Sequence, residues 1–469
     1  MRWIDRLIGL VSTLILARLL VPEDFGIIAM ASLVIGLTDL LLDLGVNVAI
    51  IQNKQATQAH YNTAWTLRLL QTGLATIIVV AIAPWASDYF NEPRVAPVIQ
   101  ILALSLILSG LENIGTIAFQ KEMKFGQDFR FVFSKRIIGF IVTMLVAWLM
   151  QSYWAMVIGS LTGRAFGVIL SYLMHPMRPR LSLEKFREIF SVSQWMLVRS
   201  IGGYLNNKLH QMIVGNREST DLMGAYSLAD EISALPSTEL LAPLNRVLFP
   251  AFVKVSHDLM ELKRVFLLAQ GVQTLVGVPA AVGLALVAHE AVLLLLGEKW
   301  LSAVPFVQII ALVNVMIAIT TSGSYILITL GKIRTIALYS WIQVGLFAAL
   351  AFLVIPQGGA LHIAWLRLVV AVIGIMVFIW LLLREFQGLR LIEILASVIR
   401  PLTATLIMAF CVLNIRSIVD FHSTLLLATQ VVFGAISYSL SIMLLWRLAG
   451  CPKGAESYLL EKIVAFRKN

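Results

Sequence analysis

The chain has 469 residues, 59% of them hydrophobic and 13% charged, with a mean hydropathy of +0.88; soluble domains carry about 25% charged residues, so a water-soluble globule is excluded. The 36 Lys and Arg outnumber the 26 Asp and Glu, giving a formal charge of +10. In so apolar a chain this excess points to anionic lipid headgroups, not to nucleic acid. Cys411 and Cys451 supply neither a disulfide framework nor a metal motif.

At about 20 apolar residues per bilayer crossing, the apolar stretches predict about 14 transmembrane helices. In chain order they centre on 4–20, 25–50, 65–85, 96–118, 130–150, 153–174, 192–214, 222–249, 265–288, 304–329, 334–355, 360–383, 400–418 and 423–448. Lys and Arg gather in alternate loops, for example at Lys121, Lys124, Arg178, Arg180, Lys332 and Arg384, while the opposite loops hold only Arg18, Arg94, Arg217, Lys299 and Arg416. The positive-inside rule then places both termini in the cytoplasm. The first apolar stretch lacks a small-residue cleavage pattern, so the first helix itself is expected to direct insertion.

The expected fold is an all-α polytopic membrane protein with two pseudo-symmetric six-helix lobes plus two C-terminal helices. Residues 1–174 form the N-terminal lobe, 175–191 a cytoplasmic amphipathic linker, 192–383 the C-terminal lobe, 384–448 a connector and the two additional helices, and 449–469 a cytoplasmic amphipathic tail. Linker and tail mix apolar and charged residues in the manner of helices lying on a membrane surface. A repeat supports the two lobes: Glu23-Asp24-Phe25-Gly26-Ile27 lies over Asp221-Leu222-Met223-Gly224-Ala225 when the chain is shifted along itself. Paired halves of this kind underlie alternating access in carriers.

Charges inside apolar runs are costly, about 2.5 to 3.5 kcal/mol near a bilayer centre on insertion scales, so they face a wet cavity or one another. On the second helix Gly36, Asp39, Asp43 and Asn47 share one face, either as a protonatable stripe or as partners of an arginine such as Arg68. On the seventh, Arg199, Gly203, Asn206 and His210 share a face; His210 reads more readily as a satisfied packing residue than as a proton relay. The eighth carries Asp230, Glu231, Glu239 and Arg246 together with Pro236 and Pro243, which predicts kinks or local unwinding. Glu239 and Arg246 read equally as gate residues or as a simple tie. Arg164 and Arg367 lie in the closing helices of the two lobes. With Arg199, Arg246 and the neighbouring Asn206 they suit a phosphate or diphosphate through forked hydrogen bonds. Asp39, Asp43, Glu231 and Glu239 are the candidates for coupling or gating. The chain has no Walker loop, HExxH, GxSxG or CxxC pattern, so neither an enzyme nor a cofactor is expected.

Several stretches carry a family resemblance. Leu16-Ala17-Arg18-Leu19-Leu20-Val21-Pro22-Glu23-Asp24-Phe25-Gly26, then Asp43-Leu44-Gly45 and Ala49-Ile50-Ile51-Gln52, are followed by Gly224-Ala225-Tyr226, Leu235-Pro236, Arg246-Val247-Leu248-Phe249-Pro250-Ala251-Phe252 and Leu296-Gly297-Glu298-Lys299-Trp300. Their order and spacing resemble bacterial polysaccharide flippases of the multidrug/oligosaccharidyl-lipid/polysaccharide exporter superfamily, closest to the colanic-acid exporter branch. The resemblance implies an inner-membrane carrier that flips undecaprenyl-diphosphate-linked oligosaccharide, with cavity arginines for the diphosphate. It further implies H+ or Na+ as coupling ion and polysaccharide polymerase or assembly proteins as partners. One departure stands out: relatives often carry Asp where this chain has His210, which removes the ion-coupling role from that position. A multidrug exporter and a non-transporting scaffold of a polysaccharide assembly complex are the alternatives; a cavity for cationic drugs favours acids over arginines.

Overall fold

The computed structural model describes residues 2–42, 50, 55–186, 194–418, 423–452 and 454–468, and no strand occurs among them. In chain order the helices are α1 (Arg2–Leu19), α2 (Pro22–Leu42), α3 (Gln58–Phe90), α4 (Val95–Leu111), α5 (Ile117–Lys121), α6 (Phe125–Met150), α7 (Trp154–Met174), α8 (Gln194–Arg217) and α9 (Thr220–Leu235). They continue with α10 (Ala242–Lys254), α11 (Leu259–Leu286), α12 (Ala288–Leu295), α13 (Val304–Thr329), α14 (Ile333–Ala349), α15 (Ala360–Glu385), α16 (Leu391–Ile418), α17 (Ser423–Leu448) and α18 (Ala455–Lys468). Each of the predicted crossings overlaps a described helix, residues 43–49 of the second lying outside the described residues. Among the described residues 9 helices are long and apolar enough to cross a membrane, or 10 when the bent pair Val95–Leu111 and Ile114–Lys121 is one span. This is a multi-pass membrane protein. Its outward apolar side chains, such as Trp85, Trp148 and Leu406, face lipid.

The predicted crossings outside that set are α1, α2, α8 and the α9–α10 stretch. The repeat relates them pairwise, since the shift that carries Pro22, at the start of α2, onto Thr220, at the start of α9, carries α1 onto α8. They are helical; over the described residues Leu7–Leu19 of α1 is an apolar helix below spanning length, and α9 and α10 have 16 and 13 residues.

The chain divides into two compact units, Met1–Ser227 and Leu228–Asn469. In unit 1, α6 packs on α7, α3 on α4, and α2 on both α4 and α8. The α6–α7 pair is close because Gly159, Gly163 and Gly167 recur one turn apart on a buried face of α7. Backbones can approach where small residues line the contact, and a β-carbon on Gly163 would lie 3.1 Å from the Lys135 carbonyl oxygen. In unit 2, α11 packs on α13 and α16, and α15 on α13, around a core that includes Leu248, Phe252, Phe266, Phe378, Leu382 and Phe386.

Local departures from the sequence reading have identifiable causes. Residues 176–183 have no regular structure, although the linker was expected to be helical; Pro176 and Pro179 deny it helical hydrogen bonds. The segment is instead strapped to α3, whose Asn62, Thr66 and Thr63 side chains accept from the backbone N–H groups of Arg180, Ser182 and Lys185 at 3.1, 2.9 and 3.2 Å. Helix α16 begins at Leu391, before the predicted 400, because the charges in its first turns have partners. Glu393 accepts from the Arg390 N–H at 2.9 Å and pairs with Lys263 at 2.7 Å, and Arg400 lies 3.0 Å from Glu456 of α18. The tail helix α18 also seats Ala455 against Gly271, where an added β-carbon would lie 2.9 Å away.

Candidate functional site

Unit 1 gathers charge around a bend. Between α4 and α5 the chain turns by 65°, and Asn113 holds the corner while fully buried. Its Oδ1 accepts from the Gly115 N–H at 2.9 Å, its Nδ2 donates to the Met177 carbonyl at 2.8 Å, and its own N–H donates to Ser171 Oγ at 2.9 Å. Beside it His175 packs edge-on to Phe119, and burial pushes its imidazole below the ordinary value. The bend ends α4 at Glu112, whose Oε2 lies 3.1 Å from Lys135 Nζ of α6, with the two side chains 14% and 32% exposed. Arg68 of α3 lies within electrostatic reach of both Glu112 and Arg164, and Arg164 of α7 donates weakly to the Ser105 carbonyl at 3.4 Å. Thus Arg164 stands with Arg68, Lys135 and Glu112. The sequence had read Arg68 only as a partner for the second-helix acids.

The α2 and α8 candidates divide. Asp43 lies outside the described residues, as do the side chains of Asp39 and Arg199. Gly36, the first member of the expected stripe, is filled by the Tyr204 ring, whose hydroxyl donates to the Leu33 carbonyl at 2.6 Å. Asn206 is exposed. His210 is 2% exposed, with one ring nitrogen 2.8 Å from the Asn207 carbonyl and the other 3.0 Å from the Tyr226 hydroxyl. Both nitrogens are engaged, as befits a packing residue.

The repeated glycines meet. A β-carbon on Gly26 would lie 1.9 Å from the Thr220 carbonyl oxygen, and one on Gly224 would lie 1.9 Å from the Pro22 carbonyl oxygen. The contact is reciprocal, each first-turn carbonyl entering the notch left by the other copy's glycine. Around it Asp24 accepts from the Tyr153 N–H at 2.9 Å, and Glu23 pairs with Arg94, which also holds Glu92 at 2.7 Å. These hydrogen bonds draw the Glu92 carboxyl below its ordinary value and push the Arg94 guanidinium up.

In unit 2, Arg367 of α15 is bound to Asp230 of α9 at 2.6 Å, both side chains being less than a fifth exposed at 17% and 16%. Glu231 and Arg246 are exposed. Glu239 sits in a π-helical turn, Pro236–Leu240, which separates α9 from α10 where the prolines predicted unwinding, and accepts from Thr238 Oγ1 at 3.3 Å. Ser237 of the same turn donates to Asn314 Oδ1 at 3.0 Å. A buried polar seam that the sequence reading missed lies behind it. Gln273 donates to Asn245 at 2.7 Å and accepts from the Ser322 N–H at 3.0 Å, and Gln270 donates to the Ile319 carbonyl at 2.6 Å. The available signal was Gln270, Gln273 and Thr274 within one turn of an otherwise apolar helix.

A sequence profile of the polysaccharide biosynthesis protein family matches residues 15–305. The chain is 29% identical over 316 residues to the lipopolysaccharide biosynthesis protein WzxC of Escherichia coli (strain K12), covering 66% of this chain and 64% of that protein. It is 24% identical over 439 residues to the succinoglycan biosynthesis transport protein ExoT of Rhizobium meliloti (strain 1021), covering 92% and 88%. Among solved structures, Lipid II flippase MurJ in an inward closed conformation matches with a TM-score of 0.79 at 13% identity, over 95% of this chain and 98% of that one. The last likeness concerns the fold. The sequence match extends over more than half of the chain, so this protein belongs to the polysaccharide biosynthesis protein family.

Proposed function

We propose that this protein is a flippase for undecaprenyl-diphosphate-linked oligosaccharide repeat units, moving them from the cytoplasmic to the outer leaflet of the bacterial inner membrane during polysaccharide biosynthesis. The observation that carries this reading is the surplus of cations inside the helices of unit 1. Lys135 is bonded to Glu112, and Arg68 lies within electrostatic reach of both Glu112 and Arg164, a cationic surplus suited to an anionic headgroup and adverse to a cationic drug. The names of the relatives support it: one is a lipopolysaccharide biosynthesis protein and another a succinoglycan biosynthesis transport protein.

On this reading Arg164, Arg199, Arg246, Arg367 and Asn206 serve the diphosphate, and Asp39, Asp43, Glu231 and Glu239 serve coupling to H+ or Na+ or the gating of an alternating-access cycle. Both termini are cytoplasmic, and the protein acts as a carrier without bond-making chemistry. The test is translocation of a labelled undecaprenyl-diphosphate oligosaccharide in proteoliposomes, with and without an ion gradient. Wild type should flip it, and Arg199→Ala and Arg367→Ala should slow it at least tenfold. A folded wild type that moves no such lipid across several glycans would overturn the reading in favour of a drug exporter or a scaffold.

A further inference from the structure

Where α11, α16 and α18 meet in unit 2 they leave a cavity of about 640 Å³, within the range of about 300 to 1,000 Å³ usual for small-molecule sites. Two of its walls are the first turns of spanning helices and the third is the tail helix, so it opens at the level of the lipid headgroups. Six charged side chains line it, three of each sign. Four are engaged, Lys263 with Glu393 at 2.7 Å and Arg400 with Glu456 at 3.0 Å, and none of these is more than 30% exposed. They make a neutral floor. The other two carry opposite charges at the mouth. Arg264 of α11 is 78% exposed and meets Glu261 only at 3.5 Å, while Glu461 of α18 is exposed and makes no ion pair among the described residues. Their nearest charged neighbours in sequence outside the lining, Glu261 and Lys462, are also of opposite sign, and Lys462 lies over the Tyr458 ring at 5.8 Å. One turn further along α11 the wall becomes apolar at Leu267 and Leu268. The guest that matches has one anionic and one cationic group on a short link, no net charge, and an apolar body.

We propose that this cavity binds the zwitterionic headgroup of phosphatidylethanolamine, its phosphate on Arg264, its ammonium on Glu461, and its acyl chains along Leu267 and Leu268. A guanidinium takes phosphate oxygens in forked pairs, and a primary ammonium offers a carboxylate three N–H donors. An anionic headgroup such as phosphatidylglycerol satisfies Arg264 but meets the Glu461 carboxylate with nothing to give it. Phosphatidylcholine keeps both charges but has no N–H on its quaternary nitrogen. Because Arg264 belongs to α11 and Glu461 to α18, the bound lipid joins the two helices and adds to the seat that Ala455 finds at Gly271. The site is separate from whatever the protein transports.

The experiment is native mass spectrometry of the purified full-length protein, stripped of lipid in detergent and then offered phosphatidylethanolamine, phosphatidylcholine and phosphatidylglycerol in equal amounts, with soluble glycerophosphoethanolamine as competitor. Wild type should retain phosphatidylethanolamine above the other two. Glu461→Gln should weaken that lipid about two- to fivefold, the range of an exposed ion pair. The same substitution should erase the difference between phosphatidylethanolamine and phosphatidylcholine and shift retention toward phosphatidylglycerol. Arg264→Gln should weaken all three and phosphatidylglycerol most, so the two variants move the ratio of zwitterionic to anionic lipid in opposite directions. Both side chains are exposed, so both variants should fold as the wild type does. A wild type that holds phosphatidylglycerol above phosphatidylethanolamine overturns the site, as does a preference over phosphatidylcholine that survives Glu461→Gln. Glycerophosphoethanolamine binding as tightly as the intact lipid would overturn the membrane as the source of the headgroup.

Discussion

The reciprocal glycine contact allows a sharp test of packing in unit 1. In Gly224→Ala the new methyl carbon would lie 1.9 Å from the Pro22 carbonyl oxygen and 2.8 Å from the Gly26 nitrogen, whereas ordinary contact begins near 3.4 Å. The obstruction is backbone on both counts, so no rotamer change relieves it, and the start of α2 must retreat from α9 by about 1.5 Å. Overpacking of this kind costs about 1 to 3 kcal/mol. The better helix propensity of Ala returns up to about 1 kcal/mol. The net expectation is a loss of about 1 to 2 kcal/mol for Gly224→Ala and for Gly26→Ala alike, since the two positions are equivalent. The double variant should lose less than the sum, because the first methyl already opens the gap that the second needs. Gly73 and Gly283 meet nothing within 4 Å of an added β-carbon, so alanine there should be neutral or stabilising. The assay is the apparent unfolding midpoint of the purified full-length protein followed by tryptophan fluorescence. Alanine at 26 and 224 as stable as alanine at 73 and 283 would refute the reasoning, as would strict additivity of the pair.

Three further outcomes are expected. Arg367→Gln removes the guanidinium bonded to the Asp230 carboxylate and should destabilise unit 2 by about 1 to 3 kcal/mol, and adding Asp230→Asn should recover part of that loss in the same unfolding assay. Asn113→Ala orphans the Gly115 N–H and the Met177 carbonyl, which should cost about 2 to 4 kcal/mol and is checked by the fraction of folded protein recovered on size exclusion. For Glu92 the folded pKa is depressed below 4.5, so the stability it contributes is present above that value and fades as pH falls through the lower folded value. Because Arg94 is 43% exposed, the effect should stay below about 1 kcal/mol. Wild type and Glu92→Gln, compared by unfolding midpoint, should differ at neutral pH and converge below pH 4.5; a constant gap would argue against it.

The helices were legible because apolar runs and Lys/Arg bias act locally along the chain, and the repeat at Gly26 and Gly224 was visible for the same reason. What two glycines do when copies meet was not, since close approach is a property of the packed backbone. Boundaries erred where a charge had a distant partner: Arg400 seemed to mark the end of a connector, yet Glu456 lets it sit inside α16. Over residues 176–183 the helical expectation failed because amphipathic composition was weighed above Pro176 and Pro179; residues 187–191 of the linker lie outside the described residues. Among the candidate residues, helical spacing grouped Arg199, Asn206 and His210 on one face, but Asn206 is exposed and His210 buried, and the Arg199 side chain lies outside the described residues. Spacing gave no hint that Arg68 and Arg164, almost a hundred positions apart in the chain, come close, because that proximity depends on how α3 and α7 pack around α4.

The docking of α18 bears on how unit 2 is completed as the chain emerges from the ribosome. The notch at Gly271 and the guanidinium of Arg400 are both made before Ala455 and Glu456 exist. Until α18 arrives, α11 has an open notch at Gly271 and α16 a cation lacking its carboxylate. A chain interrupted before residue 455 would therefore contain every preceding helix and still lack the contacts that Ala455 and Glu456 make with α11 and α16.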